Sequence, residues 1–91
     1  MKVLFNMRTA DYTQELAIQK DNRLSATQED LDYHTVVMVL GNTCTSPAVI
    51  TVSEDKDDFV SVIIESDTDE FIEIAAHYCE ARGLSEPKIE D

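Results

Sequence analysis

The sequence predicts an α+β domain: a small antiparallel sheet of four or five strands, a C-terminal amphipathic helix across one face, and a short helix before a central meander. Three observations predict it. Short apolar, β-branched runs recur between polar turns over residues 34–65. Residues 68–82 repeat apolar positions at helical spacing between a written start and a written stop. The chain is 91 residues with 43% hydrophobic content, enough for one modest core without obligatory disulfides or metal.

Taken in order, residues 1–8 read as a first strand, with Val3, Phe5 and Met7 on one face and Leu4 on the other. Residues 12–20 admit two readings. Tyr12, Gln14, Leu16 and Ile18 alternate as a returning strand does, whereas Thr9 could cap a helix carrying Tyr12 and Leu16. The hairpin is preferred, because Ile18 joins Leu16 only in the strand; a helix would change the order to β-α-α-β-β-β-α. Asp21 and Asn22 then make a turn.

Ser25 and Gln28 form a capping-box pattern that opens a short helix through about Tyr33, anchored by Leu24 and Leu31 and exposing Glu29, Asp30 and Asp32. From His34 the run TVVMVLG predicts a central strand buried on both faces. Gly41, Asn42 and the Ser46, Pro47 pair mark a loop, residues 48–53 a strand, 54–58 a polar turn, and 59–65 another strand.

The C-terminal helix has the clearest boundaries. Asp67 with Glu70 three residues on is the aspartate form of a capping box, and Gly83 follows Arg82 where a left-handed cap ends a helix. Phe71, Ile74, Ala75, Tyr78 and Cys79 fall on one side at about 100° per residue, the side toward the core. Asp69, Glu73 and Glu80 fall opposite, with Glu70 and His77 beside them. The domain is expected over residues 1–84, followed by a flexible acidic tail at 85–91.

Charge is the outlying property. Seven Lys and Arg against 19 Asp and Glu leave a formal net charge of -12, which disfavours direct contact with nucleic acid or an anionic membrane, since both depend on neutralising phosphates. A basic protein is the natural complement. No segment approaches the roughly 20 apolar residues of a membrane span, and the N-terminal apolar run is too short for a signal peptide, so a cytoplasmic protein with free Cys44 and Cys79 is expected.

Catalytic signatures are missing. With Gly41 and Gly83 as the two glycines, no glycine-rich loop can cradle a phosphate, and no serine lies in a G-x-S-x-G elbow. Cys79 and His77 are two apart on a helix and point about 200° away from each other. Glu65, Asp67 and Asp69 alternate like the start of an EF-hand loop, but its sixth position is Glu70 and its twelfth Ala76, which excludes that motif. The acids of the 54–58 turn sit in hydrophilic surroundings, unlike the partly dry sites where carboxylates do acid-base work. No catalytic residue, metal ligand set or cofactor is expected.

Binding remains. Acids concentrate at residues 29–32, 54–58 and 65–73, the last continued by Glu80. Lines of carboxylates can offer a basic groove the charge of a phosphate backbone and speed association. In size, charge and lack of enzymatic motifs the chain resembles the acidic inhibitors that phages and mobile elements direct at host nucleic-acid machinery, DNA mimics and anti-CRISPR proteins. The resemblance implies an inhibitor of a basic nucleic-acid-binding protein and carries no residue roles; from the acidic clusters themselves the residues expected to act are Asp55, Asp57, Asp58, Asp69, Glu70, Glu73 and Glu80, in a monomer or homodimer. The alternative is an antitoxin, immunity or assembly-subunit module that binds through apolar surface. A dimer would use whichever of the strands at 1–8 and 48–53 is an open edge.

Overall fold

β1 (Lys2–Arg8), α1 (Thr9–Asn22), α2 (Gln28–Val39), β2 (Ala48–Glu54), β3 (Phe59–Ser66), α3 (Glu70–Ala81) and β4 (Lys88–Glu90) follow one another in this computed structural model, which describes residues 1–41, 47–54 and 58–90. The strands form one antiparallel sheet in the order β2-β3-β1-β4. This is the expected α+β class with a C-terminal helix.

Alternation along each strand sets two faces. Val3, Phe5 and Met7 of β1 lie opposite Ile64, Val62 and Val60 of β3, and Ile50 of β2 lies opposite Ile64. All seven are buried, and with Val36, Phe71, Ala75, Tyr78 and Cys79 they make the core. The helices pack on this inner face, α2 over β2, α3 over β1, and α1 against β1 and β3. The outer face carries Lys2, Leu4, Asn6 and Arg8 of β1 with Ser61 and Ile63 of β3, exposed or half-buried. Burying a side chain the size of Phe71 or Met7 stabilises by roughly 1.5–3 kcal/mol relative to leaving it exposed, and both are 0% exposed.

Two strand expectations are overturned. Residues 9–22 are helix, not the return strand of a hairpin: Tyr12 and Gln19 are buried and Leu16 half-buried, at i, i+4 and i+7. Ile18, on which the strand preference turned, is 47% exposed and belongs to neither pattern. The run TVVMVLG is not a central strand either, because α2 continues through Val39. Leu31, Asp32, Thr35 and Val36 are buried with Val39 half-buried behind them, while Met38 is 55% exposed. β-Branched residues in that run fit a helix whose inward positions fall at i, i+1, i+4, i+5 and i+8, with Val37 buried beside them.

The N-terminal caps also move. Ala26 N–H donates to the Arg23 carbonyl at 3.1 Å, which places Ser25 inside a turn, and Thr27 caps α2 by accepting the Asp30 N–H at 3.2 Å. The Asp67, Glu70 capping box does not form. Ser66 Oγ accepts the Thr68 N–H at 3.2 Å while Ser66 N–H reaches the Met1 carbonyl, so the chain must first turn away from the sheet. Asp69 is the N-cap, without a side-chain hydrogen bond.

The C-terminal stop stands as expected. Gly83 takes φ +68°, its N–H donates to the Glu80 carbonyl at 3.2 Å, and Leu84 N–H donates to Cys79 at 2.8 Å. That is the paired bonding of a Schellman motif. Beyond it, residues 88–90 are not free tail: they form β4, with Val3 opposite Ile89 and Lys2 opposite Glu90. β1 is therefore interior, and β2 is the long edge.

Candidate functional site: an acidic helix face

Placement of α3 follows from its apolar stripe. Phe71, Ala75, Tyr78 and Cys79 face the sheet, so Asp69, Glu70, Glu73, His77 and Glu80 are turned outward and exposed. Glu70 and Glu73 sit in the first turn, where the helix dipole favours carboxylates. At 1.5 Å per residue, Glu70 to Glu73 is a rise of about 4.5 Å and Glu73 to Glu80 about 10.5 Å. Asp69, Glu73 and Glu80 have no ion pair or side-chain hydrogen bond among the described residues.

The other candidates are more scattered. Asp58 is exposed at the start of β3, and its carbonyl accepts the Thr9 N–H at 2.9 Å. One residue earlier, Arg8 N–H donates to Tyr78 Oη at 3.1 Å. Asp58 therefore lies at the end of the sheet reached by the last turns of α3, the end of Glu80 rather than of Asp69. Asp55 and Asp57 lie outside the described residues, as does Cys44. Asp32, expected on the surface, is 8% exposed and accepts hydrogen bonds from Tyr12 Oη at 2.7 Å and Gln28 Nε2 at 2.9 Å. It ties α1 to α2 and leaves the acidic surface.

Beneath the acidic face sits a polar cluster that sequence spacing could not reveal. Tyr78 Oη donates to Asp11 Oδ2 at 2.7 Å, and Arg82 Nε reaches the same oxygen at 3.3 Å. The Arg82 guanidinium also stands 4.9 Å from the Tyr78 ring centroid. Burial, and then the hydrogen bond to Asp11, push the Tyr78 phenol up to about 12. That is the wrong direction for a nucleophile or base at neutral pH. Cys79 is 1% exposed and burial raises its thiol, while His77 is exposed on the opposite side of the helix.

The described basic residues divide between the two faces of the sheet, with Lys20 and Arg23 at the end of α1 and Arg82 after α3 in the helical layer. Lys2, Arg8 and Lys88 all belong to outer register positions of the sheet, with Lys2 3.6 Å from Glu65 and opposite Glu90. Arg82, in the helical layer, is held by Asp11. The exposed run of α3 contains no Lys or Arg. Beside this run, Ile72, Ala76, Cys79, Leu84, Pro87 and Ile89, together with Glu80 and Glu86, line a groove of about 730 Å³ between α3 and the C-terminal segment.

No group of three or more metal-ligating side chains occurs among the described residues, and no helix there is long and apolar enough to cross a membrane. The class defined is thus a two-layer α+β domain with an acidic helical face. No family model, no curated protein and no solved structure matches the chain.

Proposed function

We propose that the chain is a non-enzymatic acidic inhibitor that docks its α3 face on a basic nucleic-acid-binding protein and occupies the site of the nucleic acid, in the manner of DNA mimics and anti-CRISPR proteins. The observation that carries this reading is an exposed acidic run on α3 that contains no Lys or Arg. Asp69, Glu73 and Glu80 are exposed without described partners, while Lys2, Arg8 and Lys88 belong to the far face of the sheet. A surface of one sign steers association and discriminates against wrong partners. Glu70 lies within the same run, between Asp69 and Glu73, and Asp55, Asp57 and Asp58, from one acidic stretch of sequence, are proposed to join it.

Capture from nuclease-treated bacterial lysate, washed at about 50 mM and about 500 mM salt, tests it, because exposed charge pairs are screened within about a Debye length. A basic partner released at high salt, and lost with the triple variant Asp69→Lys, Glu73→Lys, Glu80→Lys, is the expected result. Retention of the partner by that variant overturns the proposal.

The groove beside α3 favours a second reading, an antitoxin, immunity or subunit module bound through apolar surface, since Ile89, which lines it, is 49% exposed. Such a partner would hold at 500 mM salt and be lost with Ile89→Glu.

A further inference from the structure

The two edges of the sheet are unequal. β4 is three residues long, begins after Pro87 and carries Lys88 and Glu90, features that discourage strand addition. β2 likewise follows a proline, Pro47, and ends on an acid, Glu54, but it is more than twice as long and carries no charge from Ala48 to Ser53. Its seven residues keep an unbroken register with β3 from Ala48 to Glu54, without a bulge, an interior Pro or any Lys. Val49, Ile50, Thr51 and Val52 have high strand propensity, and Val49 is 48% exposed.

β2 is also complementary to itself. A two-fold axis perpendicular to the sheet through Thr51 sets Thr51 opposite its own copy, Ile50 opposite Val52, Val49 opposite Ser53 and Ala48 opposite Glu54. Register of this parity keeps both helical layers on one side, since opposed residues in an antiparallel pair point to the same face. Ile50 and Val52 then adjoin across the inner face, and no like charges oppose each other. We propose that a second copy of this chain pairs antiparallel along β2 about Thr51, forming one continuous eight-stranded sheet. This pairing is independent of the acidic surface on α3, and its salt response has the opposite sign. Each chain carries a net charge of -12, so screening strengthens the dimer whereas it weakens a charge-driven partner.

Sedimentation equilibrium from about 1 to 200 µM, at 50 and 500 mM salt, is the test, with cysteine cross-linking to fix the register. The expected result is a dimer favoured at 500 mM and abolished by Thr51→Lys, which sets two ammonium groups against each other at an exposed position. In a Cys44→Ser background, Thr51→Cys is expected to oxidise to a covalent dimer, since directly opposed residues lie about 4.5–5.5 Å apart. Val49→Cys, four residues from its own copy in this register, is not. A monomer throughout at 500 mM salt, a dimer indifferent to Thr51→Lys, or cross-linking at 49 in place of 51 would overturn the proposal.

Discussion

Tyr78 and Asp11, 67 residues apart in the chain, meet through a 2.7 Å hydrogen bond from the phenol to the carboxylate. The same phenol oxygen accepts the Arg8 N–H at 3.1 Å. One side chain thus fastens the C-terminal half of α3 to the junction where β1 becomes α1. Arg8 precedes α1 as its N-cap without a side-chain hydrogen bond, so this junction has no local cap. The fastening holds the C-terminal half of α3, whose apolar stripe already turns the acidic face outward.

Alkali should loosen it. The phenol ionises at about 12 in the folded protein against 10 as its ordinary value, so folding favours the protonated form. Its contribution is whole below pH 10 and is lost as pH rises through about 12. A two-unit difference corresponds to on the order of 2 kcal/mol. Urea unfolding between pH 9 and 12 should show that loss in the parent protein, and a flatter profile in Tyr78→Phe, which should itself cost roughly 1–2 kcal/mol at pH 7.

A hydroxyl with nothing to bind gives the opposite prediction. Thr35 is 0% exposed and its Oγ1 has no hydrogen-bond partner among the described residues. Replacement by the isosteric Val removes an unsatisfied buried group, so Thr35→Val should raise stability by about 1 kcal/mol, read as a higher urea midpoint at unchanged slope. An unchanged or lower midpoint would mean that the hydroxyl is satisfied.

Gly83 is required by its backbone and not by space. A Cβ there would meet nothing within 4 Å, yet φ is +68°. Gly83→Ala should therefore destabilise by about 1 kcal/mol, and Gly83→Asn by less, because asparagine tolerates the left-handed region. Thermal melts of the two variants compare them directly.

Thiol chemistry reports on the packing of α3. Cys79 is 1% exposed, and burial raises its ionisation above the ordinary thiol range. In a Cys44→Ser background the native protein should react with a thiol reagent many times more slowly than the same protein in denaturant. Rapid labelling under native conditions would show α3 detaching from β1.

The elements that were legible in the sequence are those whose pattern has one solution. β1 alternates without interruption, β2 and β3 are bounded by polar turns, and α3 has an unbroken apolar stripe with Gly83 behind it. α1 and α2 lack such a stripe. In α1 the exposed Ile18 imitates a strand alternation, and in α2 the exposed Met38 fills out an apolar run that looks buried on every side. The outward placing of Asp69, Glu73 and Glu80 was readable for the same reason as α3 itself. The burial of Asp32 was not, because its partners Tyr12 and Gln28 gather around it only when α1 and α2 pack.

By itself the sequence determined the acidity, the α+β class, three of the four strands and the face that α3 shows to solvent, since all of these follow from local periodicity and composition. Tertiary structure decided that residues 9–22 and 34–39 are helical, that residues 88–90 add a fourth strand, and that β2 rather than β1 is the long edge. Those outcomes depend on which neighbour each segment meets. A β-branched run is stabilised as helix or strand by the surface it buries, and a strand is an edge or a centre only in relation to the others.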